Sequence, residues 1–215
     1  MSHNFEPIIH LLHNASWGSL ATHSTQAPGY PFATMAPFAL DEQHRPLFLI
    51  SDLAEHTKNL VADARASLLV QPDGEGNMLA RERLSIVGDV KRVTPSEALV
   101  ARYLRYHPDA EQYLALAGFH FFQLVPMQAR YIAGFGQMRW IGNAEWSGAE
   151  VMPPDEEALF ISAIGEAHAR GVRVLGIDRY GVDLEKNGKR ERQRFTCAPV
   201  VATQIGDEVR RFLAT

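Results

Sequence analysis

The sequence predicts an α+β fold, mainly β: an antiparallel barrel followed by a small α/β unit. Six or seven strand-like runs lie between residues 16 and 141, with only two or three helical patterns among them. Most turns between these runs are too short for the helical crossovers that parallel strands need. An acidic, proline-containing stretch, SGAEVMPPDEE (147–157), then marks a change to alternating helix and strand. A closed or partly closed barrel follows, because closure removes exposed strand edges.

Each element has its own signal. In FEPIIHLLHN (5–14), Phe5, Ile8, Ile9, Leu11 and Leu12 fall at helical spacings, which predicts a short amphipathic helix with Pro7 in the first turn, where a missing N–H costs nothing. SWGSLATHS (16–24), YPFATMAPFAL (30–40) and PLFLIS (46–51) read as strands separated by the turn-like TQAPG and DEQHR. A helix from about Leu53 to Ala64 and a strand, ASLLVQP, follow, then a loop, PDGEGN (72–77). RLSIVGDVKRVT (83–94) alternates as a long strand, and Thr94-Pro95 opens a helix reaching about Tyr106. FHFFQLVP (119–126) and QARYIAGFGQMRWI (128–141) complete the barrel. Beyond it, 155–169 reads as a helix, 172–178 and 181–186 as strands, 192–198 as a return strand and 203–214 as a closing helix. Asn187-Gly188 is a hairpin turn, since both residues tolerate φ > 0. The expected units are a barrel over 1–146, a linker over 147–155 and an α/β unit over 156–215. So small a unit is marginal alone, so it is expected to dock on the barrel.

Composition narrows the function. Of 215 residues, 46% are hydrophobic and 21% charged, enough to bury a sizeable core. A net charge of -4 argues against a nucleic-acid partner. Cys197 is the sole cysteine, so no intrachain disulfide forms, and a reducing compartment fits. No basic residue precedes the short N-terminal apolar patch, so neither a signal peptide nor a membrane span is expected. The expected location is the cytoplasm, with no membrane partner.

One stretch, SDLAEHTKNLVADARASLLV (51–70), carries more polar chemistry than its helix requires. Asp52 is a good N-cap and Glu55 completes a capping-box-like pair. Leu53, Thr57, Leu60, Val61 and Ala64 share a face expected to meet the core, leaving Lys58 and Arg65 solvated. His56, Thr57, Lys58 and Asn59 exceed what capping needs. The start of a helix stabilises an anion, and a hydroxyl, an imidazole and an ammonium there complete a phosphate cradle. His56 and Lys58, however, point about 160° apart on a regular helix.

With GYPFATM (29–35), RLSIVGDVKRV and ARYIAGFG in the same order, this stretch resembles the FMN-binding split barrel related to pyridoxamine 5′-phosphate oxidase. The closest resemblance is to the haem-utilisation branch of the HugZ type, whose small α/β domain is similar to the unit containing GIDRYGVDL. The resemblance implies a homodimer with FMN between its subunits. It implies phosphate and ribityl contacts from Ser51, His56, Thr57, Lys58 and Asn59, and ring or ribityl contacts from Ala33, Thr34 and Met35. Pyridoxamine phosphate oxidases carry a basic residue near Ala33 and an Arg-Lys pair near Glu55-His56. This chain has neither, so vitamin B6 oxidation is not expected. The expected function is an FMN flavoprotein, an oxidoreductase acting on an unidentified small redox substrate, with no catalytic side chain nominated. Haem binding or degradation is the alternative, and a cofactor-free binding module a third.

Other motifs are weighed against plainer readings. Gly134-Phe135-Gly136 fits a bulge or barrel corner; alternatively it lets backbone approach a planar cofactor, with Arg130, Gln137 and Trp140 holding its edge. His10 and His13 stand i, i+3, but no Asp, Glu or Cys accompanies them at ligand spacing, so no metal site is expected. His168 lies near a helix C-terminus, where partial positive charge is favoured. Lys186, Lys189, Arg190, Arg192 and Arg194, interspersed with Glu185 and Glu191, read as a solvated basic turn. Cys197 reads as a buried strand residue.

Overall fold

The computed structural model describes residues 5–72, 77, 80–134, 136–164, 171–196, 198 and 200–213. Most of the expected loop PDGEGN, and Phe135, His168 and Cys197, lie outside the described residues. In chain order, the first part comprises α1 (Glu6–Asn14), β1 (Trp17–His23), β2 (Pro31–Pro37), β3 (Ala39–Leu40), β4 (Pro46–Ser51), α2 (Glu55–Ala62), β5 (Arg65–Val70) and β6 (Arg83–Val93). Then come α3 (Glu97–Tyr106), α4 (Glu111–Leu114), β7 (Phe119–Gly134), β8 (Gln137–Gly142) and α5 (Asn143–Ser147). The last part is α6 (Pro154–Ala163), β9 (Val172–Ile177), β10 (Gly181–Lys186), β11 (Lys189–Arg194) and α7 (Ala202–Leu213).

The first sheet runs β2-β1-β5-β6-β7-β4-β3, with β8 also on β7, and its pairs are antiparallel. It wraps one core without closing into a continuous hydrogen-bonded ring: Leu20, Phe48, Leu68, Ile86 and Leu124, from five strands, are buried together. This is the split barrel that the motifs imply. Its edge strand β2 begins and ends on proline, which spoils the edge as a template for further pairing.

Several expectations about elements change. FHFFQLVP and QARYIAG form one strand of 16 residues, β7, which pairs with β4 in its first half and β8 in its second. Pro126 does not interrupt it, because a register shift between Val87 and Gly88 lets Met127 bulge out of the ladder. Gly88 is required there: a Cβ would stand 2.1 Å from the Val125 carbonyl oxygen. At the other end Gly134 (φ 143°) and Gly136 (φ 77°) make the corner into β8. The return strand β11 starts at Lys189, directly after the Asn187-Gly188 turn, whose φ values are 54° and 73°.

Helix α1 is not amphipathic in use. Ile8, Ile9, His10, Leu11, Leu12 and His13 are all buried, since the barrel lies on one side of it and the β11-β10-β9 sheet on the other. The supposedly solvated basic turn is part of this seam. Arg190 donates to the carbonyls of Tyr106 (3.0 Å) and Ala15 (3.4 Å). Arg192 is buried and donates to Asp178, Asp183 and His10. A second junction joins α3 to α6, where Glu157 accepts from Arg105 at 2.9 Å and lies 3.5 Å from Arg102. The sheet thus docks through buried charge as well as through apolar packing.

Candidate cofactor site

The sequence-predicted site residues separate into two places. The first is the start of α2. Its N-cap is Ala54, with no side-chain capping bond, rather than Asp52. Asp52 accepts instead from His120 Nε2 at 3.0 Å, and Arg92 donates to the other ring nitrogen of His120 at 2.6 Å. Ser51 Oγ accepts from the N–H of Leu53 at 3.2 Å, making the turn that leads into the helix. Thr57 and Leu60 face the core, but Leu53 and Val61 are 85% and 76% exposed, so the predicted apolar face is narrower than its sequence suggests.

Asn59 is fully buried and ties α2 to the β1–β2 hairpin. Its Oδ1 accepts from Thr25 N–H (2.9 Å) and Thr25 Oγ1 (3.0 Å), and its Nδ2 donates to Thr22 Oγ1 (3.0 Å). Lys58 points to solvent, its Nζ 3.9 Å from Glu55. His56 and Thr57 carry a different signal: His56 Nε2 and Thr57 Oγ1 are buried with no hydrogen-bond partner. Burial lowers the pKa of His56, so its ring is neutral. The spot offers a hydroxyl and a neutral imidazole, with its one ammonium turned outward.

The second place is the outer face of the sheet. Strand register aligns Met35, Ser19, Leu69, Ser85, Arg130 and Trp140 in one row across six strands. The next row holds Ala33, Ala21, Ser67, Val87 and Gln128. The structure therefore brings Ala33, Met35, Arg130 and Trp140 to one face, with the Arg130 guanidinium 5.3 Å from the centre of the Trp140 ring. Thr34 pairs with buried Leu20 and so belongs to the opposite face. Gln137 alternates with Trp140 along β8 and does not share its side. Met35 (62%), Met127 (59%), Met138 (53%) and Trp140 (56%) leave this outer face unusually apolar for a surface.

A groove of about 390 Å³ opens on it, lined by residues that include His23, Arg65, Ser67, Val87, Asp89 and Met127. That volume lies in the range of small-molecule sites. His23, at the end of β1, is exposed, and neither ring nitrogen makes a hydrogen bond among the described residues. Most other described histidines are engaged: His10 with Glu6 and Arg192, His13 with Asp178 and Asp183, His44 with Glu150, His107 with Phe38, and His120 with Asp52; His56, whose Nε2 is buried without a partner, is the exception. Sequence reasoning missed His23, although the alternation Trp17, Ser19, Ala21, His23 placed it on the outward side of its strand.

Residues 10–148 match the model of the CREG β-barrel family. The chain belongs to that family. Among relatives of this CREG barrel is the chloroplastic non-canonical heme oxygenase HOZ of Arabidopsis thaliana, 33% identical over 147 residues. The match covers 67% of the chain but 44% of the plant protein, so the chain spans less than half of that relative's length. A heme binding protein from Mycobacterium smegmatis superposes with a TM-score of 0.64 at 26% identity, covering 97% of this chain and 93% of the other. Atu2129 of Agrobacterium tumefaciens, of unknown function, superposes with a TM-score of 0.69 at 22% identity, covering 99% and 94%, and shows the same fold. Both structural matches extend past the CREG barrel into the C-terminal sheet. No helix among the described residues is long and apolar enough to cross a membrane.

Proposed function

We propose that this protein binds haem in the outer-face groove, between two copies of the chain, with His23 as the iron ligand. The observation that carries the reading is His23 itself: an exposed imidazole with no hydrogen bond among the described residues, lining a groove on an apolar face. A planar, largely apolar ring suits that face. Met127 and Arg65 line the groove, and Arg130 and Trp140 stand on the neighbouring row of the same face, so methionine and tryptophan would cover the ring and the two arginines would meet its carboxylates, although Arg65 is paired with Asp63 at 2.5 Å. A second copy packed on the same face would roof the groove and exclude water. Haem, once bound, supplies electron-transfer and oxygen chemistry; the chain holds, ligates and shields it. The haem-related relatives support the reading without assigning this chain an activity.

A second reading keeps FMN. The unpartnered Thr57 Oγ1 and His56 Nε2 favour it, since a phosphate or ribityl chain would satisfy them. The outward Lys58, 3.9 Å from Glu55, weighs against it.

Absorption titration separates the two. Haem should produce a Soret band, and His23→Ala should weaken its binding at least tenfold while leaving the fold intact. Unchanged haem affinity in His23→Ala removes the ligand assignment. No Soret band, together with quenching of FMN fluorescence, replaces haem by FMN. Consumption of bound haem under a reductant and oxygen would extend the reading from binding to degradation.

A further inference from the structure

Helix α1 carries His13 into the seam between barrel and C-terminal sheet, where three groups distant in sequence meet. His13 Nε2 lies 3.0 Å from Asp178 Oδ2 and 3.4 Å from His44 Nδ1. All three residues are buried, and their candidate ligand atoms lie within 4.8 Å of one another. The other nitrogen of each ring is already occupied. His13 Nδ1–H donates to Asp183 at 2.6 Å, and His44 Nε2–H donates to the backbone carbonyl of Glu150 at 3.3 Å. The carbonyl of Glu150 fixes the His44 tautomer and leaves a lone pair on Nδ1; His13 stands between Asp183 and Asp178, and with its proton on Nδ1 it turns a second lone pair inward, beside the Asp178 carboxylate. Three buried electron-pair donors facing one another repel unless a cation stands among them.

A second, independent observation concerns His44. It has φ 57°, one of two non-glycine residues with positive φ among those described. Asn or Gly is the usual occupant of such a position. The turn from Asp41 to Arg45 thus places a fully buried imidazole where a small residue would cost less.

We propose that His13, His44 and Asp178 form a metal site for a zinc-like divalent ion that pins the C-terminal sheet to the barrel. Spacings of 3.0 and 3.4 Å are near the edge of a tetrahedron built on metal–ligand bonds of about 2.0–2.1 Å, the zinc range for nitrogen and oxygen. Two imidazoles and one carboxylate are a zinc-type donor set that leaves a fourth position open. The outer partners fit too: Asp183 behind His13 and a carbonyl behind His44 are the arrangement that orients metal-binding histidines. Because the ligands come from α1, the β3–β4 turn and the turn after β9, the ion binds only the docked arrangement.

Charge defines the competing occupant. Arg192 donates to Asp178 at 2.8 Å and to Asp183 at 2.9 Å, and the Tyr106 hydroxyl also donates to Asp183. Two carboxylates against one guanidinium leave one negative charge. A proton on His13 neutralises it. A divalent ion exceeds it by one, so an anionic fourth ligand such as hydroxide or chloride is required.

The test uses the full chain, stripped with a chelator and titrated with Co²⁺, then Zn²⁺. Visible ligand-field absorption of tetrahedral Co²⁺ is expected, bleached by stoichiometric Zn²⁺, with a rise in the thermal midpoint. His44→Asn keeps a residue that tolerates positive φ and should lower metal affinity at least tenfold. Asp183→Asn should lower it about 10- to 100-fold. Two results overturn the site: no Co²⁺ band with a midpoint indifferent to metal, meaning that a proton alone fills the cluster, or His44→Asn binding metal as well as wild type. Neither outcome bears on haem, which the titration omits.

Discussion

Arg192 shows how much one side chain can be asked to do. Its Nε donates to His10 Nδ1 at 2.8 Å, while its two terminal nitrogens hold Asp183 and Asp178. Removing one partner from a buried ionic cluster leaves uncompensated charge, at about 3–5 kcal/mol. Arg192→Met should therefore lose about that much stability in chemical denaturation, whereas Arg210→Met, on an exposed helix, should change it by less than about 0.5 kcal/mol. His10 sets a pH dependence. Burial first, then the neighbouring Arg192, lowers its pKa to about 3 from the ordinary 6.5. Between those values the unfolded chain holds the extra proton, so stability falls as pH drops through that window, at up to about 1.36 kcal/mol per unit from this group. Urea midpoints between pH 7 and 4.5 should show a shallower fall in His10→Gln. An equal slope would mean that His10 does not titrate as its surroundings dictate. None of this is visible in ERQRF, because the partners of Arg192 come from positions 10, 178 and 183.

Among the elements, α2 best shows why a polar cluster need not be a site. Asn59 spends both lone pairs of its oxygen and one N–H on Thr25 and Thr22, so it holds the helix to the hairpin. Asn59→Ala should cost about 1–3 kcal/mol for the polar groups left unpaired, while Lys58→Ala should be nearly neutral, both measured by denaturation. The same helix keeps Thr57 Oγ1 unpaired, so positions two residues apart behave differently. Sequence periodicity located α2 to within two residues of each end. It could not say which polar side chains meet protein and which meet solvent, since that depends on what β1 and β2 place opposite.

At the scale of the whole molecule, the outer sheet face is where the proposed dimer contact would form. Exposed Met35, Leu69 and Trp140 on a mixed row, with Met127 and Met138 on the same face, make it more hydrophobic than a monomer's surface needs to be. Sedimentation should show a dimer, and Trp140→Glu combined with Met35→Glu should give a folded monomer with weakened haem binding. A wild-type monomer at micromolar concentration would remove the shared site. The opposite side of the barrel is closed by α1 and the C-terminal sheet, joined through buried charge, so removing that sheet would bare His13 and the apolar residues of α1 together.

Alternation, turn chemistry and helix signals were enough to predict an antiparallel, closed or partly closed barrel followed by a small α/β unit, because each acts over a few residues; the split barrel came from the resemblance of the motifs. The order of motifs also pointed to a cofactor-binding relative. Which residues share a face required register: Met35 and Trp140 meet on one row only because five strand pairings line up between them. The site proposed around His23 and the cluster of His13, His44 and Asp178 were decided by tertiary structure alone. Their chemistry depends on distance in space, and no local pattern ties residue 13 to residue 178.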